Sequence, residues 1–225
     1  MRRAGMVPVK GRKPVVDDIL EKLTWLGHDA FRLEAGGQTI YFDPFRLKGS
    51  PPPADLICIS HEHYDHCSPE DVARIQGPRT VVLTEPQAAK KLAGDVRSLK
   101  VGERVTLGSV TVETVAAYNT NKKFHPHGNH WLGFVVSVAG VRIYHAGDTD
   151  LIPEMKGIKA DIALLPVSGT YVMTAEEAVE AALLIRPQVA IPMHYGAGVV
   201  GTADDAARFA RGLAGKVRVE LLPRH

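Results

Sequence analysis

The sequence predicts an α/β chain folded as a four-layer αββα sandwich, and three observations carry that expectation. The chain runs twice from short β-rich segments with glycine turns into strands that alternate with helices. The strands of the alternating regions, 55–60, 161–166 and 188–193, are near-continuous apolar runs, as strands buried on both faces of a parallel sheet are. At 225 residues the chain is long enough for one α/β domain that buries its core without disulfides. Two such sheets packed face to face, with helices outside, make the four layers.

In order, residues 1–21 read as an N-terminal arm and 22–225 as one domain. Within the arm, 15–20 has the pattern of a short helical turn. Residues 22–26, 30–34 and 39–43 then form an antiparallel meander around Gly27-His28-Asp29 and Gly36-Gly37. The apolar run 55–60 follows, and Ser68-Pro69-Glu70-Asp71 opens a helix with a serine cap, proline in its first turn and acids behind it. Residues 79–83 read as a strand, and Thr84-Glu-Pro-Gln87 as a capping box for a helix reaching Gly94.

Residues 96–117 read as short strands broken at Gly102 and Gly108, a second meander completed after the polar loop 119–130 by strands 132–139 and 141–145. In the last third, strand 161–166 leads to a capping box at Thr174-Ala-Glu-Glu177 and a helix through Ile185, stopped by Pro187. Strand 188–193, a helix over 203–214 capped by Thr202, and strand 216–222 close the chain.

A formal net charge of +2 gives no reason to expect a nucleic-acid partner, and no segment is apolar and long enough to suggest a membrane partner. The basic first residues lack the apolar stretch of a secretory signal, so the expected location is the cytoplasm. Cys58 and Cys67, the two cysteines, are then reduced thiols. Nothing in the composition excludes a homo-oligomer.

The chemistry concentrates in His61-Glu62-His63-Tyr64-Asp65-His66. A lone histidine is more often a hydrogen-bonded or surface residue than a ligand. Here three imidazoles and a carboxylate sit between an apolar strand and a capped helix start, which favours a metal site. Alternate residues of extended chain point the same way, so His61 and His63 face one position while a turn swings Asp65 and His66 toward another. Two more candidate ligands end strands further on, Asp148 in the run Tyr144 to Thr149 and His194 in the run Ile191 to Tyr195.

This set, H-x-H-x-D-H, a later G-D-T aspartate and a final strand-end histidine, resembles the metallo-β-lactamase superfamily from about Lys22 onward. Trp25-Leu-Gly-His28, Phe42-Asp43-Pro44, Ala163-Leu-Leu-Pro166 and Pro192-Met-His194 look like its small single-domain metal-dependent hydrolases related to ascorbate-phosphate lactonase. The resemblance implies a metallo-β-lactamase fold, hydrolysis and two divalent metal ions, zinc first, with manganese or iron as alternatives. Carried over by position, His61 and His63 hold the first ion, Asp65, His66 and His194 the second, and Asp148 bridges them. Asn119 stands where the family's third first-site histidine is expected, and amide is a poor transition-metal ligand beside imidazole. His125, His127 or His130 on the same loop is expected to compensate, with His125 favoured because Pro126 holds it extended, the alternative being a weakly filled first position.

Two ions about 3.5–4 Å apart can hold a hydroxide and polarise a carbonyl or phosphoryl oxygen, and Asp65 is the expected catalytic residue that orients it. Asp43 is either an acceptor that fixes a ligand histidine or a strand-end turn residue. His28 is a candidate pocket residue, whereas His145, alternating with Val141 and Ile143, reads as a core histidine. Lys122 and Lys123 beside the loop histidines would favour an anionic substrate. The expected function is hydrolysis of a small anionic molecule, a lactone or phosphoester. The alternatives are a metal-binding or sensing protein with little turnover and, further off, a nuclease.

Overall fold

The computed structural model describes residues 15–225, so the part of the expected arm at 1–14 lies outside the described residues. Residues Val15–Leu20 form a helix, α1, that places Val16 and Ile19 in the main core. They are therefore part of the folded body rather than of an arm, because burying these two side chains holds the helix down.

The first sheet has the order β1-β2-β3-β4-β5-β6, made of Leu23–Gly27, Ala30–Ala35, Gln38–Phe42, Ala54–Cys58, Gln76–Thr84 and Asp95–Ser98. Its first three strands are an antiparallel meander and the rest join in parallel. The second sheet runs from β7 (Arg104–Leu107) through β8 (Val110–Ala116), β9 (Leu132–Val138), β10 (Val141–His145), β11 (Ile162–Pro166) and β12 (Val189–Met193) to β13 (Arg218–Val219). It repeats the plan, antiparallel as far as β10 and parallel beyond.

The parallel strands are linked by helices: α2 (Pro69–Ile75) and α3 (Pro86–Ala89) in the first half, α4 (Ala175–Ile185) and α5 (Ala203–Leu213) in the second. Strand β4 shows how the layers separate. Leu56 and Cys58 join the main core between the sheets, while Ile57 and Ile59 join a second cluster with Val72 and Ile75 of α2. Period-two side chains of one apolar run thus serve both faces.

Four expectations change. Thr84 is the last residue of β5 and its hydroxyl donates to the Ile59 carbonyl at 2.8 Å, so the cap of α3 passes to Glu85, whose carboxylate accepts from the Gln87 and Ala88 N–H groups. That helix stops at Ala89 instead of Gly94, with Ala88 the buried residue of its single turn. Strand β6 pairs with β5 in the first sheet and does not join the second meander, and β13 is two residues rather than seven.

The capping box of α4 is as expected: the Thr174 hydroxyl accepts from Glu177 N at 3.1 Å and the Glu177 carboxylate accepts from Thr174 N at 2.8 Å. Thr174→Ala is expected to lower stability by about 1 kcal/mol, read as a lower urea midpoint at unchanged slope.

Candidate metal centre

Both sheets deliver their parallel strands to one rim, and the candidate residues follow those strands. His61, His63, Asp65 and His66 come after β4, Asp148 after β10 and His194 after β12. Three residues here adopt left-handed backbone: His28 (φ 53), Asp43 (φ 38) and His194 (φ 65). Such strain persists where the surroundings over-determine it. His194 N donates to His28 O, His28 N to Tyr195 O, and the Trp25 indole to His28 O at 2.9 Å, so the two turns lock each other.

The Asp148 carboxylate is the meeting point. One oxygen lies 3.0 Å from His125 Nε2 and 3.2 Å from His194 Nε2, and the other 3.3 Å from His66 Nε2. Donors bonded to one ion at about 2.0–2.1 Å are themselves about 3.0–3.4 Å apart. Sets of ligand atoms within 4.8 Å of one another are His61, His63, His125; His61, His66, Asp148; and His28, His66, His194. All six principal sequence candidates therefore meet within one cluster, with Asp65 joining through His28 Nε2 at 3.1 Å and His66 Nε2 at 3.9 Å.

In His61, His66, His125 and His194 the outer Nδ1 lies against an oxygen, which leaves Nε2 free to ligate. His66 Nδ1 donates to Asp43 at 2.8 Å, His194 Nδ1 to the Ser168 hydroxyl at 2.7 Å, and His125 Nδ1 to the Tyr171 carbonyl at 3.1 Å. His61 Nδ1 lies 2.9 Å from the Ser60 hydroxyl, which donates onward to Asp43 at 2.6 Å. Trp131 walls the cluster, its ring 4.6 Å from that of His61 and 4.7 Å from that of His63.

The electrostatics suit cations. Burial pushes the His61 imidazole well below its usual range and takes His28 down to about 4, keeping both neutral. Burial alone would raise Asp148, but His194, His66 and His125 outweigh it and hold the carboxyl well below the usual range. In Asp65 burial is likewise outweighed, by the His28 hydrogen bond and His66, and the carboxyl falls to about 2. Asp29 goes the other way, raised by burial and by the Asp148 carboxylate.

Of nine buried side-chain polar atoms without a hydrogen-bond partner among the described residues, six belong to this cluster: His28 Nδ1, both Asp29 oxygens, His66 Nε2, His125 Nε2 and Asp148 Oδ1. Buried polar groups are rarely left so. The donor set of imidazole nitrogens and carboxylate oxygens fits a divalent metal, which the lone pairs of both can ligate at once.

Several expectations are corrected. His127 lies outside the cluster, exposed and packed on the Tyr118 ring at 4.3 Å. Asn119 faces His125 instead of the cluster: its Oδ1 accepts from His125 N at 2.9 Å and its Nδ2 donates to Tyr171 O at 2.8 Å. Lys122 is not a free cation, since its ammonium pairs with the fully buried Asp150 carboxylate at 2.5 Å. Lys123 is exposed. His145, by contrast, is the core residue its strand alternation predicts, stacked on Phe42 with its Nε2 on the Asp29 carbonyl at 2.9 Å.

Sequence reasoning missed Asp29, Ser60, Ser168 and the Tyr171 carbonyl. Of these only Asp29 carried a signal, as an acid beside His28 on a glycine turn. A cleft of about 730 Å³ lies beside the centre and shares the Trp131 wall with it, but none of the clustered histidines or aspartates lines it.

The profile described as a beta-lactamase superfamily domain matches residues 22–194. A metal-dependent hydrolase of Methanoculleus marisnigri is 36% identical over 184 residues, covering 77% of this chain and 80% of the relative. One of Carboxydothermus hydrogenoformans is 33% identical over 220 residues, covering 89% and 96%. Among solved structures, a protein of Parabacteroides distasonis described as a metal-dependent hydrolase superposes with a TM-score of 0.80 at 32% identity, covering 90% of this chain and 93% of its own. A metallo hydrolase of Ignicoccus hospitalis superposes at 0.70 with 26% identity, covering 90% and 95%. The matched domain, the hydrolase relatives and the doubled sheet around one His/Asp centre together show that the chain belongs to the metallo-β-lactamase superfamily, among its metal-dependent hydrolases.

Proposed function

We propose that the protein hydrolyses a small anionic molecule, a lactone or a phosphoester, at a centre of two divalent ions. His61, His63 and His125 would hold the first and Asp65, His66 and His194 the second, with Asp148 between them. The observation that carries this reading is the Asp148 carboxylate, 3.0–3.3 Å from the Nε2 atoms of His125, His194 and His66. A three-imidazole position suits zinc, and the carboxylates at the second also admit manganese or iron. Bound there, the ions supply acidity to water and polarise the oxygen of the group under attack.

The chain's own residues do the rest. Asp65, kept ionised by its hydrogen bond to His28, is placed to accept a proton from water at Oδ2. Two dications against the ionised Asp65 and Asp148 leave the site net positive, which favours an anionic group. Lys123 is the remaining loop cation for such a group, Lys122 being paired. Cytoplasmic location fits the two free, buried cysteines, and among the described residues no helix is long and apolar enough to cross a membrane.

The test is elemental analysis of purified protein together with a panel of lactones, phosphomonoesters and phosphodiesters. Turnover lost on chelation and restored by metal is expected, and metal-loaded protein that cleaves none of the panel would overturn the reading. Titration of the apo protein should show two binding steps. His125→Ala is expected to weaken one of them by about 10-fold or more, and His127→Ala neither.

A further inference from the structure

We propose that Asp29 is a ligand of the second metal position, and that its carboxylate makes that position prefer manganese or iron to zinc. The inference rests on the metal reading above and concerns a residue to which that reading gives no part. Asp29 closes the turn between β1 and β2 and is fully buried. Neither of its carboxylate oxygens has a hydrogen-bond partner. An oxygen of Asp29 lies within 4.8 Å of ligand atoms from both Asp148 and His194, which are themselves 3.2 Å apart.

Asp29 also lies within 4.8 Å of Asp43 and His145, but those two groups are satisfied. The Asp43 oxygens accept from Ser60 N, the Ser60 hydroxyl and His66 Nδ1. His145 has its Nε2 on the Asp29 carbonyl and its Nδ1 on Gly147 N. The groups near Asp29 that still lack a partner are on the other side, at Asp148 Oδ1 and His66 Nε2. Asp29 and Asp148 are buried acids set against each other, and a cation held between them satisfies both.

With Asp29 included, the second position gathers oxygens from Asp29, Asp65 and Asp148 and nitrogens from His66 and His194. Five donors of this kind exceed the four of a tetrahedral zinc site and leave room for a water in octahedral geometry. Carboxylate-rich octahedral sets suit manganese and iron, whereas the first position, with three imidazoles, stays a zinc-type site.

The experiment uses the full chain as wild type, Asp29→Asn and Asp29→Ala. Each is stripped with chelator and titrated calorimetrically with manganese and, separately, with zinc, and melting is followed with and without metal. Both variants are expected to melt, as apo proteins, at or above wild type, because a buried carboxylate without partners has been removed. Their manganese affinity at one of the two steps should fall by about 10-fold or more, with a smaller loss for zinc and a reduced rise in Tm on metal binding. Unchanged metal binding in Asp29→Asn, whose amide can donate to Asp148, would overturn the inference. So would apo variants that melt well below wild type yet bind both ions as before, which would mark Asp29 as structural. Wild-type protein that takes up neither ion would overturn the metal reading itself, a result distinct from either of these.

Discussion

Asp148→Ala is expected to lose most of its bound metal and about 1000-fold or more in kcat/KM, close to 4 kcal/mol of barrier. The carboxylate is 4% exposed and stands between three imidazole nitrogens that come from the loops after β4, β8 and β12. Without it Asp65 is the one ionised carboxylate left among the ligands assigned above, and no single group serves both positions. Charge and geometry are lost together. Asp148→Asn keeps the shape and should keep the fold, so a large loss of metal in that variant as well would locate the effect in the carboxylate charge. Metal content by elemental analysis, set beside kcat/KM, reads both, and full metal retention by Asp148→Ala would contradict the bridging role.

The second large effect is expected at Asp43, which sits in left-handed backbone just after β3 and is fully buried. Its oxygens accept from Ser60 N at 2.7 Å, from the Ser60 hydroxyl at 2.6 Å and from His66 Nδ1 at 2.8 Å. Through the Ser60 hydroxyl it also reaches His61 Nδ1, so one carboxylate orients two imidazoles of the cluster. Asp43→Ala leaves three buried donors unpaired and is expected to cost about 3–5 kcal/mol of stability. Asp43→Asn keeps an acceptor but not the charge. It should fold with a smaller loss while weakening metal binding by about 10–100-fold. Urea unfolding and metal titration separate these effects, and an Asp43→Ala protein as stable as wild type would contradict the account.

The parts of the fold that were legible in the sequence are those with a strong local period. Strand β4 and the run after it could be read because the apolar residues Leu56 to Ile59 lead through Ser60 into H-x-H-x-D-H, and α4 because its capping box is complete within four residues. The α3 cap misled because Thr84-x-x-Gln87 has the pattern of a capping box, while the threonine hydroxyl is used across the sheet on Ile59 O. Nothing local announces that partner.

In the centre, the position of Asn119 suggested a missing ligand. The loop instead folds back so that Asn119 N donates to His125 O at 2.7 Å and Asn119 Oδ1 accepts from His125 N at 2.9 Å, which brings His125 Nε2 to Asp148. A return of six residues is invisible to linear spacing. Lys122 misled for a related reason, since its carboxylate partner Asp150 lies 28 residues on. Ser168 was silent because a serine after a strand has no signature until His194 is seen 2.7 Å away.

Crystals of the metal-loaded protein, with anomalous diffraction recorded at the absorption edge of the bound metal, test the central claim most directly. The account requires two peaks, one among His61, His63 and His125 and one among Asp65, His66 and His194, with the Asp148 carboxylate touching both. A single peak, or peaks that leave Asp148 or His125 outside the coordination shell, would contradict it.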